Sequence, residues 1–134
     1  MNNKGFTGKT IIITGASAGV GAATARTFAQ LGMNLVLVAR GQQALDKISD
    51  ELSPLTSVLT VAIDVSDVKA TENLVEKAYA RFGSIDYLVN NAGYHQRGNV
   101  DSNKANALAQ MVDVNLRAPI QLSGLVIPYL QKAG

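Results

Sequence analysis

Four short apolar runs, most of them rich in β-branched residues, set the terms for what this chain can fold into. They are Thr10-Ile-Ile-Ile-Thr14, Leu35-Val-Leu-Val-Ala39, Val58-Leu-Thr-Val-Ala-Ile63 and Tyr87-Leu-Val89. A strand with one wet face alternates apolar and polar residues; an unalternated run is a strand covered on both faces. Between the runs lie amphipathic stretches with apolar residues at steps of three and four, near Val20–Leu31, Gln42–Leu52 and Val68–Phe82. Gly32 and Gly83 stand where helix C-caps belong, and Ser66 or Asp67 can cap the third helix at its start. A fourth helical stretch, about Lys104–Lys132, carries Leu108, Met111, Val112, Leu116, Ile120, Ile127 and Leu130 mostly at helical steps. Strand and helix alternating in this way predict an α/β fold, a doubly wound parallel sheet with right-handed crossovers.

Composition narrows the functions such a sheet can serve. The 134 residues are one domain's worth of chain, 1–134, with 47% hydrophobic and 16% charged residues, which excludes a disordered segment. A net charge of +2 without a Lys/Arg stripe excludes a nucleic-acid partner. The absence of Cys removes disulfides, thiolate zinc sites and thiol catalysis, and one His, His95, excludes a His-rich metal site. No signal-like start and no apolar run of about 18 residues is present, so a cytoplasmic chain with no membrane partner is expected.

The first strand runs straight into Thr14-Gly15-Ala16-Ser17-Ala18-Gly19-Val20-Gly21. Gly15 permits a tight turn off the strand, Gly19 lets backbone approach a pyrophosphate, and Gly21 allows the helix to close on the sheet. The helix start that follows offers unpaired N–H groups and a positive dipole end to phosphates. Strand, glycine turn and helix in that order are the context that makes a glycine pattern meaningful. Gly8-Lys9-Thr10 imitates the end of another phosphate loop, but Asn3 stands where its first glycine belongs and no strand precedes it.

The spacing T-G-x-x-x-G-x-G resembles that of the short-chain dehydrogenase/reductase family, and the resemblance runs from about Lys9 to the C-terminus. Asp64-Val65 after the third run, Asn90-Asn91-Ala92-Gly93 after the fourth and Val114-Asn115-Leu116 in the long helical stretch fall in the family's order. The resemblance implies a Rossmann-like fold and a cofactor-binding set of Gly15, Ser17, Gly19, Val20, Gly21, Arg40, Asp64, Val65, Asn90, Asn91, Ala92 and Gly93. In it Asp64 accepts from the adenine amino group, and the Asn90–Gly93 segment lines the adenosine ribose and braces the sheet. Asn115 is the implied catalytic position, its backbone carbonyl holding a water in the proton relay. Pro119, four residues on, has no N–H to donate to that carbonyl.

Arg40 points to the cofactor. NAD-binding chains place an acid near the end of the second strand to hold the ribose 2′-hydroxyl. Here Arg40 follows Ala39, and the next acid is Asp46. A guanidinium there favours a 2′-phosphate, with Ser17 as a further donor, so NADP is expected over NAD.

The family's chemistry also needs a Ser and a Y-x-x-x-K pair. The residues four after Tyr79, Tyr87, Tyr94 and Tyr129 are Gly83, Asn91, Gly98 and Ala133. The expectation is therefore the N-terminal cofactor-binding part of an NADP(H)-dependent oxidoreductase acting on a carbonyl or secondary alcohol, incomplete at its C-terminus and without catalysis alone. The alternative is a non-catalytic dinucleotide-binding regulatory module. A homo-oligomer is expected through the fourth strand's open edge or the long helix.

Overall fold

In a computed structural model, residues 5–91 and 118–133 are described. Strand β1 (Thr10–Thr14) leads to helix α1 (Gly19–Gln30), then β2 (Asn34–Ala39), α2 (Gln42–Leu52), β3 (Val58–Ala62), α3 (Val68–Phe82), β4 (Tyr87–Val89) and α4 (Ala118–Ala133). The strands form one parallel sheet in the order β3-β2-β1-β4. The α/β doubly wound architecture expected from the apolar runs is the one observed.

The unalternated runs have a direct structural cause. Ile11, Ile13, Leu35 and Leu37 face one way, into a core with Ala22, Ala25, Ala29, Leu45, Ile48 and Leu52 of α1 and α2. Ile12, Val36 and Val38 face the other way, against Leu74, Val75 and Ala78 of α3 and Leu122 and Val126 of α4. Successive side chains of one strand feed opposite cores, so each position must be apolar. The buried face of α1 is Gly21, Ala22, Ala25 and Ala29, small residues that bring its axis close to the sheet.

The helix ends follow local chemistry. At the end of α1, Gly32 takes φ +79°, its N–H bonds to the Ala29 carbonyl, and the Met33 N–H reaches back to Phe28. This is a Schellman closure, and it needs a glycine at that position. Asp67 caps α3, accepting from the Ala70 N–H at 3.1 Å. Ser66 serves a different partner. Gly83 ends α3 at φ +76°.

Of the long helical stretch, residues 104–117, Asn115 among them, lie outside the described residues. Within α4 the inward stripe is Leu122 and Val126, one turn apart and fully buried. Ile127, expected on that stripe, is instead 47% exposed. One residue beyond Val126, it stands a quarter-turn further round the helix and leaves the core face. Tyr129 is half-buried, its ring 4.7 Å from that of Tyr79 on α3. Among the described residues β4 pairs with β1 only, and its Tyr87 is exposed. No helix of the described residues is long and apolar enough to cross a membrane.

The strand order places the site. From β1 the chain winds outward to β2 and β3, then returns across the sheet to β4 on the other side of β1. Between β1 and β4 the winding direction reverses, and ligands of open α/β sheets bind at the strand C-termini beside such a reversal.

Candidate functional site

The glycine loop leaves β1 at that reversal. Gly15 and Gly19 have φ +62° and +56°, conformations that cost an L residue with a Cβ about 1–2 kcal/mol. Ala16 is fully buried, and its N–H donates to the Val38 carbonyl at 3.1 Å, pinning the loop to the end of β2. A Cβ built on Gly21 would overlap the Gly15 carbonyl and come within 2.9 Å of the Asn91 Nδ2. The third glycine thus lets helix α1 pass beneath its own loop. Among the described residues, a Cβ on Gly19 would meet nothing within 4 Å, and Gly19 faces the crevice.

Among the described residues, no side chain caps the start of α1. Ala18 is the N-cap residue and supplies no side-chain acceptor, and no acidic residue stands in the first turn. The positive end of the helix dipole therefore faces the crevice without a counter-charge on its own helix. Val20 at this turn is 70% exposed, and Ser17 is half-buried beside it.

On the far side of β1, three polar groups tie the strand ends together. The Thr14 hydroxyl accepts from the Asn91 N–H at 2.8 Å and donates to the Val89 carbonyl at 3.4 Å. Asn90 donates its amide to Ser123 Oγ of α4 at 3.1 Å. Asn90 and Asn91 thus brace β4 against β1 and α4 while standing exposed at the crevice edge.

The third part of the site lies at the ends of β2 and β3. Arg40 is well exposed, its Nη2 4.0 Å from Asp64 Oδ2. The other carboxylate oxygen of Asp64 accepts from Ser66 Oγ at 2.7 Å and from the Ser66 N–H at 2.9 Å. The Ser66 hydroxyl first, then its N–H, and the Arg40 charge hold the Asp64 carboxyl below its ordinary range. Val65 follows, its carbonyl accepting from the Thr71 hydroxyl at the start of α3.

The described part of the expected set is thereby gathered along one edge of the sheet: the loop residues at β1, Arg40 at β2, Asp64 and Val65 at β3, and Asn90 and Asn91 at β4. Ala92, Gly93, His95 and Asn115 lie outside the described residues. Sequence reasoning missed Ser66 as the partner of Asp64, Thr14 as the tie between strands, and Ser123. For Thr14 and Ser66 a signal existed, a short hydroxyl residue at a strand's end beside a motif. For Ser123, 33 residues from Asn90, there was none.

The profile of the family described as short chain dehydrogenase matches residues 9–134. The chain belongs to that family. It is 38% identical, over 98% of its length, to an uncharacterized oxidoreductase of Staphylococcus saprophyticus, of which it covers 52%. It superposes with a TM-score of 0.91 and 31% identity on L-sorbose reductase from Gluconobacter frateurii, solved with NADPH and L-sorbose, covering 99% of this chain and 51% of that one. A metagenomic short-chain oxidoreductase in complex with NADP gives a TM-score of 0.89 at 32% identity, with coverage of 96% and 59%. The chain spans about half the length of the curated dehydrogenases and oxidoreductases it matches.

Proposed function

We propose that these residues form the cofactor-binding part of an NADP(H)-dependent short-chain oxidoreductase, and that the complete enzyme transfers hydride between the nicotinamide and a carbonyl or secondary alcohol. The observation that carries the reading is the pairing of an open, uncapped glycine loop at the sheet reversal with a cation, Arg40, at the end of β2. The bound dinucleotide supplies the hydride; the chain supplies position and charge.

In this reading the α1 start and the bare backbone of Gly19 receive the pyrophosphate. Gly15 and Gly21 give the loop its shape, with Val20 contributing backbone and Ser17 a hydroxyl. Arg40 takes the 2′-phosphate through charge-assisted hydrogen bonds. Asp64 and Val65 receive the adenine, with Ser66 holding the carboxylate in its acceptor state. Asn90 and Asn91, continuing into Ala92 and Gly93, line the adenosine ribose. The solved neighbours that hold NADPH or NADP support this choice of cofactor. Asn115 enters the reading as the residue whose carbonyl holds the relay water.

The reading assigns binding, not turnover, to these 134 residues alone. No Tyr in them is followed four residues later by Lys, and a missing general acid costs about 10²–10⁴-fold before any loss of positioning. Calorimetric titration with NADPH, followed by an NADPH-oxidation assay against aldehydes and ketones, tests both halves. The expected result is saturable binding without measurable oxidation. Absence of binding overturns the assignment of the site, and robust oxidation overturns the assignment of the chemistry.

A further inference from the structure

Arg40 has a close acidic neighbour. Asp64 Oδ2 lies 4.0 Å from its Nη2, the two residues following β2 and β3 where Ala39 and Ala62 stand in register. The orientation of that carboxylate is not left to chance. Two bonds from Ser66 occupy Oδ1, so Oδ2 is the oxygen turned toward the guanidinium. Both partners are solvent-accessible, Arg40 the more so, and a ligand entering the crevice meets them together.

We propose that Asp64 sets the upper limit of this chain's preference for a 2′-phosphorylated dinucleotide. It competes with the phosphate for the Arg40 guanidinium and repels the phosphate's own charge. Discrimination between the two dinucleotides is therefore a property of the Arg40–Asp64 pair and not of Arg40 alone. This inference rests on the reading of Arg40 given above and adds a second residue, opposite in sign, to the selectivity it describes. An acid at this position acts differently from one that binds a ribose hydroxyl. Its contact with the adenine is common to both ligands, whereas its charge penalises only the phosphorylated one.

Exposed ion pairs couple weakly, which bounds the effect at roughly three- to fivefold in relative affinity. Such coupling is screened by salt, which supplies an independent signature. The experiment is calorimetric titration of the 134-residue chain with NADPH and with NADH, at low and at high ionic strength. The proteins are the parent, Asp64→Asn, Asp64→Ser and Arg40→Ala. Asp64→Asn keeps an oxygen for Ser66 and so preserves the turn, and Asp64→Ser gives a second, smaller neutral residue. Loss of an adenine contact weakens both ligands alike and cancels in the ratio of their dissociation constants.

The expected result is a rise of about three- to fivefold in the preference for NADPH over NADH in both Asp64 variants at low salt, shrinking at high salt. An unchanged or reduced preference in both variants, with Arg40→Ala still lowering it, overturns this inference and leaves the role of Arg40 standing. An Arg40→Ala variant with the parent's preference overturns the underlying reading instead.

Discussion

The glycine loop and the Arg40–Asp64 edge lie along the same side of one sheet, yet they are built in opposite ways. The loop is made of backbone. Its positive-φ glycines, the buried Ala16 and the close pass of Gly21 beneath the Gly15 carbonyl leave no room for adjustment. The other edge is made of side chains, an exposed cation and a carboxylate held by a serine. A pyrophosphate is common to every dinucleotide, so a rigid backbone cradle suits it. The 2′-phosphate is what differs, and long side chains in high dielectric can change sign or strength without disturbing the fold. Recognition of the class is rigid; selection within the class is adjustable.

That contrast breaks most visibly at Gly21. Gly21→Ala drives a methyl into the Gly15 carbonyl and toward the Asn91 amide. The Asn91 side chain can swing aside, but the Gly15 backbone cannot yield without moving α1 against β1. The expectation is a loss of stability of at least about 2–3 kcal/mol, comparable to overpacking a core, with dinucleotide binding abolished. Thermal melting by circular dichroism and titration with NADPH read the two effects. Unchanged melting and binding would mean the loop is as adjustable as the Arg40 edge, and the contrast would dissolve.

Gly19→Ala sharpens the same contrast at smaller cost. None of the described residues crowds the new methyl, so the penalty is that of the left-handed backbone, about 1–2 kcal/mol. The methyl faces the crevice, and NADPH and NADH should weaken together by tenfold or more. A change in their ratio would assign Gly19 a part in selection that its position does not support.

Much of the scaffold was legible in the sequence because the two cores draw alternately on successive residues of β1 and β2. A strand buried on two faces cannot hide its pattern, and α2 and α3 begin and end at the residues expected. Gly32 and Gly83 were legible because only a residue without Cβ takes their φ cheaply. The turn of Ile127 out of the core was not, since Leu122, Val126 and Ile127 offer overlapping helical stripes and packing against the sheet chooses between them. At the site, glycine spacing and the cation after β2 are local signals. The ties Thr14–Asn91, Asn90–Ser123 and Arg40–Asp64 join residues 24 to 77 positions apart, and only the strand order brings them together.

The central claim, that the loop binds the class while the β2 edge selects within it, meets its most direct test in Arg40→Asp. The measurement is the dissociation constant for NADPH and for NADH, in the parent and in this one variant. A hydrogen bond to a charged group contributes about 1.5–3 kcal/mol, so replacing the cation by an acid should weaken NADPH by about tenfold or more. NADH, which shares the glycine loop and gains an acceptor for its ribose hydroxyl, should hold its affinity or improve. The account predicts a crossover, with the parent preferring NADPH and the variant NADH. Parallel weakening of both ligands, or a parent that binds NADH as tightly as NADPH, would contradict it.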